Sequence, residues 1–476
     1  MELTSNNRLQ VRLSPLSSGD ITFALVATAG LSLVFGVLIA VAGGSEYIVF
    51  VLPLIAVLLL TISSLELAFA FLVLSLFVNV HVSAFSSAVW FSIPFALSFL
   101  NRYRDIEWSQ FSNPVTRSIL IYGCCILPSF FNAVRPFISL VVLYNVIAFL
   151  VVLYSCVASI KYYSDINKLL GAFLALVVVN SLDVFRLAWL FDKRTFGFSG
   201  VMFVDYSALA ICVTAAKIIL YGGMKRVLYS VLSVLIAVAL VLTRTRNTLF
   251  SLLLTLCVFG FYLMLHPEFF GFSRKRLFVT IGAAAILILG GAALTVIMSP
   301  SIERRATDLS VNADAPVDQN GKIENSLVTR TLIWDTALNA FRAHPIIGIG
   351  VYAFSYSSQF YYRIPRYYFH RYVEGASPHQ TELAVLTETG IVGLIGFMIF
   401  VAAALRTAFH SIRMAQTLRG RKYAMIAAIG VTYCIISMTF TDAWLWGQGI
   451  VLFGLVVGVM LAIRNLERSE MVPGAV

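Results

Sequence analysis

The chain has 476 residues, of which 59% are hydrophobic and only 12% are charged, and its formal net charge is +11. Apolar runs repeatedly reach the roughly 20 residues with which a helix crosses a bilayer, and this excludes a soluble globular fold. Lysines and arginines stand in short clusters between these runs. That distribution indicates orientation of a membrane protein by charge and gives no reason to expect a nucleic-acid partner.

The apolar runs are continuous and do not alternate, so they predict helices rather than barrel strands, because backbone groups cannot stay unpaired in hydrocarbon. A window of roughly 20 residues gives about 12 to 14 spans. We therefore predict an all-α, polytopic transmembrane helical bundle. The six cysteines all fall inside apolar runs. They are expected to be core residues and not a disulfide or metal framework.

Charge bias sets the expected orientation of the spans. If the N-terminus is cytoplasmic, most basic clusters fall on the cytoplasmic side, as the positive-inside rule requires. The same count places the C-terminus in the cytoplasm. It divides the chain into N-terminal spans over 1–298, an extracytoplasmic (periplasmic or extracellular) loop over 299–381, and C-terminal spans over 382–476. We expect a multi-pass protein of the cytoplasmic (inner) membrane.

The first group of candidate site residues is Thr243–Asn247 (TRTRN), which lies between two apolar runs at a predicted outer boundary. Arginine at such a depth is costly unless it faces an anion or a cavity. Its planar guanidinium also suits a diphosphate. Arg244 and Arg246 are therefore candidate diphosphate ligands, with snorkelling to lipid headgroups as the alternative.

The predicted outer loop has internal organisation. Residues 330–343 (RTLIWDTALNAFRA) carry apolar residues at helical spacing, with Trp334, Leu338 and Phe341 on one side, and a His-Pro pair follows. This pattern predicts an amphipathic helix that lies on the outer membrane surface or packs on the bundle. Arg330 at its start would add a third cation on the same side.

Aromatic residues alternate with arginines from residue 352 to residue 372. This composition suits stacking on sugar rings and the binding of phosphates, with a position at the lipid headgroups as the alternative. The candidate glycan-binding residues are Tyr361, Tyr362, Arg363, Arg366 and Tyr368.

The end of the loop carries a candidate catalytic base, His379. Ser377 fits an N-cap, Pro378 the first helical position and Gln380 the third, directly before a long apolar run. His379 would then lie in the first turn of a helix, where the dipole disfavours imidazolium, so we expect a neutral ring that accepts a proton. Glu382 would share its helix face and orient the ring or take part in proton transfer. The alternative is a histidine that only hydrogen-bonds within the loop.

Several catalytic patterns are missing from the sequence. It contains no acidic pair at metal spacing, no phosphate-binding P-loop and no serine nucleophile elbow. The glycine pair Gly348 and Gly350 lacks the third glycine and the strand of a nucleotide site. We therefore expect no metal and no other cofactor.

With these residues in view, the chain resembles the O-antigen ligase and O-antigen polymerase superfamily of bacterial envelope glycosyltransferases. The resemblance rests on TRTRNTLF from Thr243, on RTLIWDTALNAFRAHPIIGIGVYAF from Arg330, and on His379-Gln380 followed after nine residues by Gly390. It covers about residues 242–399. Upstream of that stretch the chain is similar only in being hydrophobic and multi-span.

The resemblance implies a metal-independent, inverting glycosyltransferase with a GT-C-like helical fold. Such an enzyme moves a glycan from an undecaprenyl diphosphate carrier to an acceptor hydroxyl at the outer face of the cytoplasmic membrane. It implies that His379 is the general base and that Arg246 and Arg330 bind the diphosphate; it does not separate Arg244 from Arg246. Membrane lipids and other polysaccharide assembly proteins are the further partners expected.

Polymerase and ligase differ in the acceptor, which is another lipid-linked repeat unit for the first and lipid A-core for the second. The number of spans and the aromatic loop favour a polymerase that makes an O-antigen, capsular polysaccharide or exopolysaccharide. A polysaccharide flippase or other transporter is an alternative of another class, and a non-catalytic scaffold is a third. The charges that a transport path would use are Asp183, Arg186, Asp205, Lys217 and Asp442.

Overall fold

The computed structural model describes residues 112–191, 196, 202–243, 245–267, 326–442 and 447–470. All of them belong to one unit of the chain, residues 72–476. Throughout these ranges the regular secondary structure is helical. The prediction of an all-α fold is thereby confirmed. The division at residues 298 and 381 stays a prediction, because residues 1–111 and 268–325 lie outside the described ranges.

Ten longer helices are numbered here in chain order. Six precede residue 268: α1 (Pro114–Ile126), α2 (Pro136–Ser159), α3 (Tyr163–Phe191), α4 (Phe203–Leu220), α5 (Gly223–Leu242) and α6 (Arg246–Leu265). Four follow residue 325: α7 (Ser326–Ala343), α8 (Thr381–Met414), α9 (Leu418–Phe440) and α10 (Gly447–Glu470). A 3-10 turn, Leu127–Asn132, extends α1, and short helical turns at Phe354–Phe360 and Arg366–Val373 separate α7 from α8.

Length and composition make eight of the described helices candidate membrane spans. They are α1 with its 3-10 extension, α3, α4, α5, α6, α8, α9 and α10. A ninth apolar helical stretch, Leu143–Ser159, is shorter. The described part of the chain is therefore a multi-pass helical membrane protein, as expected. The predicted total of 12 to 14 spans includes segments outside the described residues.

Local sequence explains several helix starts. Asn113 caps α1, where its Oδ1 accepts from the Thr116 backbone N–H at 2.9 Å, and Pro114 occupies the first turn. Thr417 caps α9 in the same way, with its Oγ1 accepting from Gly420 N at 2.8 Å. These caps satisfy backbone donors that have no partner inside the helix.

The helices pack through small residues, as spans commonly do. Gly396 of α8 lies against α1, where a Cβ on the glycine would come within 2.8 Å of the Cys125 Cβ. Gly458 of α10 lies against α2, and its Cβ would approach the Cys156 Cβ to 2.7 Å. Larger side chains at these two glycines would separate the helices. The bundle therefore depends on close backbone approach at these crossings.

All six cysteines lie in the described residues and all are free. Cys156, Cys212 and Cys434 are buried, as expected of small core residues. Cys124 and Cys257 are exposed on their helices, so the core assignment is wrong for these two. A helix in a membrane turns part of its apolar surface to lipid, and hydrophobicity alone does not separate that face from the core.

One helix is broken by a glycine. Gly390 in α8 has φ 66° and ψ −166°, and the chain resumes a helix after it. The break exposes backbone groups that pair with the segment after α7: Ile391 N–H donates to Pro345 O at 2.9 Å, and Ile349 N–H donates to Thr387 O at 3.1 Å. A Cβ on Gly390 would lie 2.2 Å from Ile346 O. Glycine is thus required here both by conformation and by close approach.

α7, the segment that follows it and the start of α8 share a small hydrophobic core. It includes Ile333, Ala337, Phe354, Phe369 and Val373, all at most 1% exposed. The predicted helix over residues 330–343 is confirmed, and it begins four residues earlier, at Ser326. It packs on α8, and its buried face carries alanines and Ile333.

The apolar side of this helix that the sequence indicated differs from the side that is buried in the structure. Leu338 is 37% exposed, while Trp334 is only partly buried, at the edge of the core. The buried side carries Ile333, Ala337 and Ala340, and its small residues allow close contact with α8.

Candidate active site

The C-terminus of one described helix and the N-termini of three others meet at one end of the bundle. They are the C-terminus of α9 and the N-termini of α6, α7 and α8. Thr381, the first residue of α8, donates from both its backbone N–H (3.2 Å) and its Oγ1 (2.8 Å) to Thr441 O, directly after α9. From the other side, Trp334 Nε1 of α7 donates to Pro378 O at 3.0 Å. The segment around His379 is therefore fixed between two anchors.

His379 occupies a left-handed backbone conformation, with φ 53°. Few residues other than glycine adopt it, and a strained residue held by its surroundings is characteristic of functional sites. The imidazole is 45% exposed, and its Nδ1 lies 3.8 Å from Asp442 Oδ2 and 3.4 Å from Ser377 Oγ. Ser377 Oγ also donates to Asp442 Oδ2. With Nδ1 on this side, Nε2 is the nitrogen left to meet a substrate.

The predicted capping box does not form. α8 begins at Thr381 and its N-cap is Gln380, which makes no side-chain capping bond. Ser377 hydrogen-bonds Asp442 and Pro378 lies before the helix, so His379 is not in the first turn. The left-handed φ at His379 prevents an earlier start, and the argument from the helix dipole to a neutral ring therefore loses its basis.

Glu382 faces α9 and not the imidazole. Its Oε1 accepts from Thr439 Oγ1 at 3.0 Å, and its buried Oε2 has no hydrogen-bond partner in the described part of the chain. The carboxylate beside the His379 ring belongs to Asp442, which is mostly buried at 11% side-chain exposure. Asp442, and not Glu382, is thus the carboxylate that lies next to the ring.

Arg330 points to the same place. Its Nη1 donates to Phe440 O at 3.4 Å, and the charge of Asp442 acts on it. Burial lowers the pKa of the guanidinium from its usual value, and Asp442 opposes this shift. A half-buried cation beside a single carboxylate is suited to receive an additional anion.

The TRTRN motif also reaches this end of the bundle. Asn247 Nδ2 donates to Phe440 O at 3.3 Å, so one carbonyl accepts from both Asn247 and Arg330. Arg246 is the first residue of α6 and adjoins Asn247. The Arg246 side chain and the whole of Arg244 lie outside the described part of the structure. The backbone position alone brings Arg246 to the site.

The candidate glycan-binding residues separate into packed and exposed ones. Tyr361 lies edge-on to His344, with ring centroids 5.9 Å apart, and burial raises the Tyr361 pKa. Tyr362 stacks on Phe369 at 4.1 Å. These two tyrosines belong to the edge of the loop core.

The remaining three candidates are exposed. Arg363 is at the surface, Arg366 Nε donates to His370 Nε2 at 3.0 Å, and Tyr368 is 37% exposed. The exposed group is therefore the part of the loop that is free to contact a ligand.

The charges of the transporter alternative do not gather along one path. Asp183 and Arg186 pair with each other at 2.7 Å, with the Arg186 side chain 60% exposed. Asp205 accepts from two side chains of α9, and Lys217 lies near the opposite end of the bundle from Asp442. Of this set, Asp442 lies beside His379, and Asp205, on which the charge of Asp442 acts, lies near the same end of α9.

Sequence reasoning missed two features of the site. It named Asp442 for the transporter alternative, although Asp442 is the carboxylate beside His379. It also missed Tyr352, which has φ 61° and whose pKa is raised by burial and by the charges of Glu388 and Asp442. Asp442 stands 63 positions after His379, so no local spacing relates the two. Its position at the end of an apolar run, before two tryptophans, was the available signal.

The described residues contain no group of three or more His, Cys, Asp or Glu side chains placed to hold a metal ion. The site instead combines one histidine, one adjacent carboxylate and cationic groups. A histidine next to a carboxylate can act as a general base, and arginine supplies positive charge for a phosphate.

Residues 231–398 match the family model for O-antigen ligase. The chain carries an O-antigen ligase family domain. The match confirms the resemblance to the O-antigen ligase and polymerase superfamily, and with the apolar helices it identifies a membrane enzyme that transfers glycans in polysaccharide biosynthesis. The comparison with curated proteins gives no match. The domain includes Arg246, Arg330, His379 and Gly390, whereas Asp442 lies beyond its end.

Proposed function

We propose that this protein transfers a glycan from an undecaprenyl-diphosphate carrier to an acceptor hydroxyl at the outer face of the cytoplasmic membrane. The observation that carries the proposal is the convergence at Phe440–Asp442 of His379, Arg330 and the start of α6. In the proposed orientation the candidate active site lies at the outer face of the membrane. Both termini are then cytoplasmic, and the segment between α7 and α8 faces outward.

His379 is the general base of the proposed reaction. Its Nε2 accepts the proton of the acceptor hydroxyl while that oxygen forms a bond to the anomeric carbon of the donor. Asp442 positions the ring through Nδ1 and stabilises the imidazolium that forms, although the 3.8 Å separation has to shorten when substrate binds. Attack opposite the diphosphate in one displacement inverts the anomeric centre.

The arginines receive the leaving group. As the anomeric C–O bond breaks, its electron pair remains on the diphosphate oxygen, and Arg330 together with Arg246 or Arg244 balances the charge. A diphosphate is already a good leaving group, so guanidinium groups suffice where other enzymes use a divalent cation. Activity is then expected to survive EDTA; a clear loss on chelation would remove the metal-free mechanism.

The exposed loop residues Arg363, Arg366 and Tyr368 are proposed to contact the glycan. Aromatic faces stack on sugar rings, and the neighbouring cations bind acidic sugars or phosphates. Tyr361 and Tyr362 support this surface from the loop core. An extended aromatic surface favours a polymerase, which holds a growing chain. A ligase is the second candidate, because the matching family model is that of O-antigen ligase.

The experiment is incubation of the purified protein with an undecaprenyl-diphosphate-linked oligosaccharide, with and without lipid A-core. A ladder of products without lipid A-core means polymerase, and a single product formed only with it means ligase. If no glycosidic bond forms with or without lipid A-core, the proposal fails and a transport function has to be tested instead.

A further inference from the structure

A second charged region lies at the end of the bundle opposite to the candidate active site. The 23 residues of α9 separate the two ends by about 35 Å at 1.5 Å per residue. Four cations gather here around Tyr221, which directly follows α4. We call Lys217, Lys225, Arg419 and Lys422 the basic cluster.

Three ammonium groups of the basic cluster converge on one ring. The Nζ atoms of Lys422, Lys217 and Lys225 lie 5.6, 5.9 and 6.0 Å from the Tyr221 ring centroid. Any two of them are therefore within about 12 Å of each other. Arg419 stacks over Tyr163 at 5.3 Å, and its charge also reaches Tyr221. Cation–π contact offsets only part of the repulsion among these charges.

Lys217 distinguishes this cluster from a solvated basic loop. It is 3% exposed, and its Nζ donates to Tyr229 Oη at 3.2 Å. An ammonium group has three donors, so this contact leaves donors for another acceptor. Within the described ranges, no member of the basic cluster forms an ion pair with a carboxylate.

Glu467, an acidic residue at this end of α10, already has hydrogen-bond partners. Glu467 accepts from the Tyr163 hydroxyl and from the backbone N–H groups of Gln416 and Thr417. In the described part of the chain it makes no ion pair with the basic cluster. A buried ammonium group beside other cations is costly unless an anion joins it.

An almost wholly apolar cavity adjoins the basic cluster. It lies among α3, α4, α9 and α10, with Phe173, Leu209, Ile426 and Leu452 among its lining residues. Both Val213 and Tyr423 also line it. Val213 precedes Lys217 by one helical turn, and Tyr423 follows Lys422 directly.

Tyr423 also connects the cavity with the basic cluster, because it interacts with Tyr221 at the centre of the cluster. Anion-binding groups thus border an apolar cavity.

We propose that this region binds an anionic phospholipid, with its phosphate among the lysines of the basic cluster and part of one acyl chain in the apolar cavity. A free phosphate compound would use the cations but leave the cavity without an occupant. Basic pockets between spans on the cytoplasmic side bind anionic headgroups in this manner. The site is separate from the glycosyl-transfer site and does not depend on that proposed activity.

The test is binding of phosphatidylglycerol to the delipidated full-length protein in detergent, measured by native mass spectrometry. Loss of one basic residue near the surface weakens such binding about fivefold, the equivalent of about 1 kcal/mol. The double variant Lys217→Gln/Lys422→Gln is expected to weaken phosphatidylglycerol binding about 30-fold. Lys422→Gln alone is expected to weaken it about fivefold, and it tests the site if the double variant does not fold.

Lys161→Gln is the matched control, since Lys161 is an exposed cation at the same end of the bundle. It is expected to bind as the unaltered protein does. Phosphatidylcholine with identical acyl chains is expected to bind more weakly, and glycerol 3-phosphate is expected not to displace phosphatidylglycerol. Equal weakening by Lys161→Gln, equal binding of the two lipids, or displacement by glycerol 3-phosphate would overturn the proposal.

Discussion

Replacement of Asp442 by asparagine tests how the site works, because it keeps the side-chain volume and removes the charge. In the proposed reaction His379 becomes an imidazolium as it takes the acceptor proton. Asp442 Oδ2 lies 3.8 Å from Nδ1 of that ring. The carboxylate stabilises the charged ring more than the neutral one. Asp442→Asn should therefore lower the rate of transfer more than the binding of substrates.

The geometry sets the size of the effect. Two unit charges 3.8 Å apart attract by about 4 kcal/mol at an effective dielectric constant near 20. Because the imidazole is 45% exposed, solvent screening reduces this to about 2–3 kcal/mol. At 1.36 kcal/mol for each factor of ten, kcat should fall about 30- to 150-fold. Changes in KM should be small, because the ion pair exists only after proton transfer begins.

The assay is the initial rate of glycan transfer by purified protein across a range of donor concentrations. Asp183→Asn is the control, since Asp183 pairs with Arg186 on its own helix and not with His379. Gel filtration of each variant separates loss of folding from loss of catalysis. An Asp442→Asn protein with unchanged kcat, or an equal loss in Asp183→Asn, would refute the positioning role.

Three further substitutions test other parts of the account. Glu382→Gln should lower kcat about tenfold or less, because this carboxylate contacts α9 and not the His379 ring. A loss larger than that of Asp442→Asn would support the catalytic role that the sequence predicted for Glu382. Arg330→Lys should lower kcat/KM about ten- to hundredfold, because an ammonium group cannot reproduce the guanidinium contacts with a diphosphate. Unchanged donor affinity would contradict the diphosphate-binding role of Arg330. Gly390→Ala should destabilise the protein by about 2–4 kcal/mol in thermal melts, because φ is 66° and the added Cβ would meet backbone atoms. Gly171→Ala is the control, since a Cβ there has nothing within 4 Å. Equal melting temperatures of the two variants would refute the packing argument.

The sequence predicted the membrane-spanning helices well, because apolar length is a direct physical requirement of the bilayer. It also identified the helix over residues 330–343. Segments that pair through backbone alone were not predictable in this way. Pro345 and Ile346 accept from the chain after Gly390, and no side-chain pattern signals such contacts.

At the candidate site, the sequence selected Arg330 and His379 but assigned the wrong local structure to His379. Ser377-Pro378-His379-Gln380 fits a helix start by residue type, yet the first turn of α8 is set by the contact of Thr381 with Thr441 O. That contact joins distant parts of the chain. Asp442 was not assigned to the site for the same reason.

The central claim is that His379 is the base of a glycosyl transfer. The most direct measurement is the rate at which purified His379→Ala forms glycosidic bonds from an undecaprenyl-diphosphate-linked oligosaccharide, with donor binding measured in parallel. A general base contributes about 10²- to 10⁴-fold, so the variant should be slower by that factor while it binds donor as the unaltered protein does. Turnover at the rate of the unaltered protein would contradict the claim.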